Sequence, residues 1–175
     1  MEIVVTLVVL GVVLGIAAPR FDTARARADG AALRVTSLLM TAQRRSVLRQ
    51  HDVRLVFDTG EGRVVLHDDT DNDGSRTAGE PWQVQELGDG VAFGIAGTPR
   101  VAVPEAGPVT FDIDPDEGLP VVTFHRNGSA SEEGVVYVTS ASNQAATDTR
   151  AISVERSTGR TTCWTYRTGA WKEGC

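Results

Sequence analysis

Residues 3–18 form a run of sixteen that is apolar or glycine apart from Thr6, with Glu2 before it and Pro19 and Arg20 after it. As a helix this run would span ~24 Å, somewhat short of the ~30 Å hydrocarbon core of a bilayer. A secretory signal wants a basic flank where this chain has Glu2, which speaks against that reading. A membrane anchor tolerates an acid at its very end, where the carboxylate reaches the interface, and Glu2 stands there. Past the proline, Ala28, Ala31, Ala32, Val35, Leu38, Leu39 and Ala42 recur near the 3.6-residue period of an amphipathic helix. The pattern therefore predicts one long helix to about residue 50, apolar in its first half and amphipathic in its second. Arg25, Arg34, Arg44, Arg45 and Arg49 lie largely off the apolar stripe. They are expected on a solvated face, close enough to a membrane to meet anionic headgroups.

The rest of the chain reads as short strands. Residues 53–57 and 63–67 flank Asp58-Thr59-Gly60-Glu61-Gly62, a hairpin signal. Further candidates are 82–87, 91–95, 109–113, 121–125, 135–139, 151–155 and 160–166, with tight turns at Asn127-Gly128 and at Ser157-Thr158-Gly159. Many strands after one helix predict an α+β fold, the helix packed on an antiparallel sheet. The expected division is a transmembrane and assembly segment over residues 1–22 and a head over 23–175, comprising helix 23–50 and sheets 51–175.

Charge divides along the same line. Residues 1–50 hold seven Arg against Glu2, Asp22 and Asp29, a net of +4, whereas residues 51–175 hold ten basic and twenty acidic side chains, a net of −10. An acidic head excludes nucleic-acid binding over its whole surface, because phosphate binding is mostly charge neutralisation. The two cysteines, Cys163 and Cys175, close the chain. In a reducing compartment they would be two thiols. Behind a membrane anchor they are expected as a disulfide worth ~3 kcal/mol in the chain-entropy model.

Two stretches carry possible ligand chemistry. Asp69, Asp71, Asp73, Gly74, Ser75 and Glu80 stand at the spacing of a twelve-residue calcium loop. In such a loop three carboxylates, a turn glycine, a backbone carbonyl and a final bidentate Glu present hard oxygen donors. Ca2+ on Asp69, Asp71, Asp73, the Ser75 carbonyl and Glu80 is one expectation, and a hydrated acidic hairpin loop is the other. Near the C-terminus, Arg156, Arg160, Arg167 and Lys172 interleave with Trp164, Tyr166 and Trp171. Cations beside aromatics can track a phosphate backbone and stack on bases, and aromatics can equally pack a last hairpin. His51, His67 and His125 have no companion nucleophile, so no catalytic set emerges and an enzyme is not expected. The acidic run Asp112, Asp114, Asp116 and Glu117 is expected as a solvated loop.

The stretch Glu2-Ile-Val-Val-Thr-Leu-Val-Val-Leu-Gly through Ala17-Ala18-Pro19-Arg20-Phe21 resembles the N-terminal segment of type IV pilins and pseudopilins, in which an acid precedes a proline by seventeen residues. The head narrows this. Gly79-Glu80-Pro81, then Thr123-Phe124-His125-Arg126-Asn127-Gly128-Ser129, then Arg150-Ala151-Ile152-Ser153-Val154 with Gly159-Arg160, is similar to the GspH/FimT group of minor pseudopilins and minor pilins. The resemblance implies a structural minor subunit of a type II secretion pseudopilus or type IV pilus. It implies a single pass through the bacterial inner membrane, a periplasmic head and assembly with other pilin or pseudopilin subunits on an inner-membrane platform. Glu2 would pair with the terminal amine of a neighbouring subunit. Leader cleavage and methylation would occur at a site upstream of Met1, so the precursor is expected to begin earlier. Some FimT-like minor pilins bind DNA through Gly-Arg-x-Arg; the matching positions here read Gly159-Arg160-Thr161-Thr162, without the second Arg.

Overall fold

The computed structural model describes residues 23–99, 101, 107–141 and 145–175. The apolar run, Glu2 and Pro19 lie outside the described residues, and with them the expected transmembrane segment. Among the described residues no helix is long and apolar enough to cross a membrane.

Helix α1, Thr23–Arg49, buries Ala28, Ala31, Ala32, Val35, Leu38, Leu39, Ala42 and Ser46 along one face. Alanine is half of that face, so sheets can approach the helix axis closely. The helix stops where Gln50 takes a left-handed φ of 59° and its N–H bonds the Ser46 carbonyl at 3.0 Å.

The head holds two antiparallel sheets under this helix. Strands β1 (Asp52–Asp58), β2 (Arg63–Asp69), β3 (Trp82–Glu86) and β5 (Val121–Phe124) pair in the order β3-β2-β1-β5. Strands β4 (Val91–Phe93), β6 (Gly134–Ser140), β7 (Arg150–Val154), β8 (Thr161–Arg167) and β9 (Ala170–Glu173) pair in the order β4-β6-β7-β8-β9. A 3-10 turn, Ala146–Asp148, leads into β7. Both sheets pack on α1, and a shared core of Val35, Leu39, Leu55, Phe57, Leu66, Phe124, Val136 and Ile152 fills the space between. Phe57 joins the sheets, stacking on Phe111 at 5.4 Å and meeting the edge of Phe93 at 6.3 Å between centroids.

The expected strand at 109–113 is not a strand. Val109 bridges Val136 in one sheet, while Ile113 bridges Pro120, which leads into β5 of the other. Five residues that cross between two sheets cannot lie along either. The apolar residues that suggested a strand are there because the crossing runs through the core: Phe111 is buried so closely over Gly134 that a Cβ there would lie 2.4 Å from its ring.

Cys163 of β8 and Cys175 form the expected disulfide, with Cα atoms 5.7 Å apart, and the Gly174 N–H bonds the Cys163 carbonyl at 2.8 Å. The bridge closes the open end of the β8–β9 hairpin.

Candidate functional site

The acidic loop between β2 and β3 is organised from within. Asp69 ends β2 buried, and its carboxylate accepts the N–H groups of Asp73 at 3.2 Å and Gly74 at 3.0 Å. Asp71 also accepts the Asp73 N–H, and Asp73 accepts that of Ser75 at 2.7 Å. Asn72 and Gly74 take left-handed φ values of 58° and 80°, which fold the loop back on itself. One carboxylate oxygen from each of Asp69, Asp71 and Asp73 lies within 4.8 Å of the others. Burial raises the Asp69 carboxyl above its ordinary value; the Gly74 and Asp73 N–H groups oppose this, and the nearby Glu80 charge adds to it. A cation among the three would favour the ionised form.

Glu80 does different work. Its Oε1 accepts the Thr70 N–H at 2.8 Å and hydroxyl at 3.2 Å, and its Oε2 accepts the Thr77 N–H and His67 Nε2–H, both at 2.8 Å. The Thr77 N–H, then His67 and Thr70, hold its carboxyl down to about 2 against the opposing effect of burial. The structure therefore brings together Asp69, Asp71 and Asp73 and sets Glu80 beneath them as the staple of the loop. Both Glu80 oxygens are engaged by protein donors, which is not the arrangement of a bidentate ligand.

The C-terminal cations do not form one patch. Cross-strand pairing puts Thr165 opposite Lys172 and Arg167 opposite Ala170, while Trp164 stands opposite Glu173 and Tyr166 opposite Trp171. Arg167 and Lys172 thus point to one face of the sheet and the three aromatics to the other. Trp164 and Trp171 pack with Val135, Tyr137 and Ala151 in a second small core, and the indole N–H groups donate to Ser153 and to the Pro99 carbonyl. Arg160 is on the aromatic side, but it stands 3.5 Å from Glu173 in a recess shared with Glu133 and Glu155. Arg156 lies apart, beside His125 and Ser129 to Ser131.

The helix arginines Arg34, Arg44 and Arg49 are exposed, as expected of a solvated face, but most of the helix arginines also reach the head. Arg45 and Arg49 reach the buried Asp68 of β2 at 3.6 and 2.5 Å, Arg34 donates to the Leu87 carbonyl, and Arg25 stands 4.0 Å from the buried Asp148. They fasten α1 to the head, because the buried acids Asp68 of β2 and Asp148 of the 3-10 turn need cationic partners and α1 supplies them. Arg150, fully buried on β7, pairs with Asp29 of the helix in the opposite sense. The acidic run is likewise not merely solvated, since Asp114 pairs with the buried Arg54 at 2.5 Å. The histidines bond Asp52 or Glu80, and among the described residues none hydrogen-bonds a Ser or Cys side chain.

Two of the head motifs, the turns at Asn127-Gly128 and Thr158-Gly159, meet beneath the helix. Gln43 donates to the Gly128 carbonyl at 3.1 Å and the Thr158 carbonyl at 2.6 Å, and Ser46 donates to the His125 carbonyl at 3.0 Å. A Cβ on Gly159, whose φ is 64°, would lie 2.3 Å from the Gly128 carbonyl oxygen. The two glycine turns are motifs because they pack against each other beneath the helix.

One surface was not foreseen. Leu33, Met40 and Val47 recur at seven residues on α1 and are 54%, 47% and 42% exposed, with Leu48 beside them at 75%. Seven residues fall ~20° short of two turns, so the three share one strip of α1, turned away from Val35, Leu39 and Ala42 at Leu33 and Met40 and drifting toward the Gly128 turn at Val47. The signal was available: apolar residues at helical spacing on a second face.

Residues 31–159 match the family model described as the type II transport protein GspH. No curated protein sequence matches the chain. The fold is similar to that of the minor pseudopilin EpsH from the type 2 secretion system of Vibrio cholerae, with TM-score 0.54 and 12% identity over 79% of this chain and 97% of that one. It is also similar to the type IV minor pilin FimU of Pseudomonas aeruginosa, with TM-score 0.54 and 13% identity over 85% of this chain and 94% of that one.

Proposed function

Because this chain belongs to the GspH family of type II transport proteins, we propose that it serves as a minor subunit of a secretion pseudopilus or type IV pilus, anchored by residues 1–22 with its head in the periplasm. The family is one of structural subunits, and the chain is not an enzyme. In the proposed mechanism the apolar N-terminal run is drawn from the inner membrane by an assembly platform and packs among the helices of neighbouring subunits. Glu2 neutralises the terminal amine of one of them.

The observation that carries this reading is the stripe of Leu33, Met40 and Val47. It lies along a side of α1 on which Leu33 and Met40 stay about half exposed. An apolar helix face needs a partner, and another helix with ridges at three- and four-residue spacing fits it. The test is Leu33→Glu with Met40→Glu. The variant should melt within a few degrees of the parent, since both residues are exposed, yet be missing from sheared filaments. Incorporation at the parent level would end the reading.

Two finer elements belong to the same proposal. Calcium at the acidic loop is supported by the clustering of Asp69, Asp71 and Asp73, with the Ser75 carbonyl as a further donor and Glu80 as the staple beneath. Oxygen donors on a tight loop suit a hard cation. DNA binding through Arg156, Arg160, Arg167 and Lys172 is the alternative function. The split of these cations between two faces, and the three acids around Arg160, favour the purely structural role.

A further inference from the structure

Strand β3 is an edge of its sheet, and its outward side is open among the described residues. The Asp68 N–H bonds the Pro81 carbonyl and the Leu87 N–H bonds the Gly62 carbonyl, both at 2.9 Å. In the register of β2 with β3 these bonds fix Leu66–Gln83 and Val64–Gln85 as the hydrogen-bonded pairs. The backbone N–H and C=O groups of Trp82, Val84 and Glu86 therefore point away from β2, and of these the Glu86 carbonyl accepts from the Gln85 side chain. The other edges are closed or blunted. On β5 the outward Val121 N–H bonds Asp112, and both outward groups of Thr123 bond Ser131. Strand β4 has three residues, and β9 carries Lys172 and ends beside the disulfide. Strand β3 has five residues, with no lysine and no proline among them.

We propose that β3 takes up an extended, acidic segment of another protein as an added strand. Such a strand gains hydrogen bonds from the three outward residues and specificity from its alternating side chains. One set of side chains enters a groove of about 420 Å3 between β3 and α1, lined by Arg34, Leu38, Thr41 and Arg45 of the helix and by Gln83 and Gln85 of the strand. Among the described residues no carboxylate lines this groove. Arg34 has the Leu87 carbonyl as its partner, and Arg45 shares the one Asp68 carboxylate with Arg49, so positive charge here is left unneutralised. Over residues 51–175 the net charge is −10, and against that background the local sign selects acids on the groove side of the segment. The other set lies on the outer face beside Trp82 and Val84, which are 59% and 36% exposed, and apolar residues fit there. The occupant is thus a strand that alternates apolar and acidic residues. The site is on the head and does not depend on the anchoring of residues 1–22.

The experiment titrates the full chain, in detergent micelles, into the labelled peptide Thr-Thr-Glu-Val-Glu-Val-Thr and follows fluorescence anisotropy. With the central valine paired antiparallel to Val84, the second valine falls opposite Trp82 and both glutamates lie over the groove. The expected result is saturable binding that is lost in Val84→Pro, a change that removes an outward N–H and no bond to β2. N-methylation tests the same geometry without altering the protein. Methyl groups on the two valines, whose N–H groups face β3, should abolish binding, and methyl groups on the two glutamates should leave it. No binding, binding that survives Val84→Pro or valine methylation, or loss on methylating the glutamates overturns the inference. Replacing both glutamates by lysine should weaken binding about tenfold, and equal binding overturns the acidic assignment. A dimer of the chain in sedimentation that Val84→Pro dissolves overturns the assignment to another protein in favour of a second copy.

Discussion

Glu80 shows how one side chain can take a role that its spacing does not announce. At position twelve of a loop-like pattern it reads as a ligand, yet its four accepted hydrogen bonds tie β2, the loop and the approach to β3 together. Hydrogen bonds to a charged group are worth ~1.5–3 kcal/mol, so Glu80→Gln should lower stability by about 2 kcal/mol in urea unfolding at neutral pH. The pH dependence has a definite sign. The carboxyl titrates at about 2 when folded against an ordinary 4.5, so between those values the unfolded chain binds the extra proton. Stability from Glu80 should be complete above pH 4.5 and fade as pH falls toward 2, and Glu80→Gln should flatten that slope. Glycines divide in the same way. Gly159→Ala should cost about 3 kcal/mol or more, adding a clash with the Gly128 carbonyl to a left-handed backbone, whereas Gly169→Ala, at φ 80° with open space around it, should cost only ~1–2 kcal/mol. Equal costs for the two would refute the packed-turn account.

At the scale of elements, the acidic loop offers the clearest contrast. Millimolar calcium should raise the melting temperature of the protein if Asp69, Asp71 and Asp73 hold it, and Asp71→Asn with Asp73→Asn should remove the rise without unfolding the loop, because Glu80 still staples it. A melting temperature indifferent to calcium and chelator would leave the loop as a hydrated turn. Strands β1 and β2 were legible because apolar alternation and a Gly-rich turn point to one hairpin. Strand β9 was not, since Ala170-Trp171-Lys172-Glu173 has a single large apolar residue; the tight turn at Thr168-Gly169 and the Cys163–Cys175 bridge hold it in place. Residues 109–113 misled because period and composition report burial, and a chain crossing between two sheets is buried too. The helix arginines were visible as charges, but their partners Asp68 and Asp148 sit on distant segments that no local pattern connects to α1. Of the candidate sites, the three-aspartate cluster was readable from spacing alone, while the splitting of Arg160 from Arg167 and Lys172 needed the register of β8 with β9.

For the whole molecule, α1 has two jobs on two faces. One face of small residues lets both sheets share a single core with the helix, and charged fasteners at either end fix its position: Arg150 with Asp29 near the start, Arg45 and Arg49 with Asp68 near the finish. The other face leaves Leu33 and Met40 about half exposed. On the proposed reading, a head fastened to a helix that exposes Leu33 and Met40 is carried and packed by that helix. The most direct test places a photo-crosslinking amino acid at Met40 in cells that assemble the filament. The account predicts adducts with neighbouring pilin or pseudopilin subunits through their N-terminal helices, lost when Glu2→Ala prevents assembly. A chain that yields no such adduct from position 40 while present in the filament, or the same adduct without assembly, would contradict it.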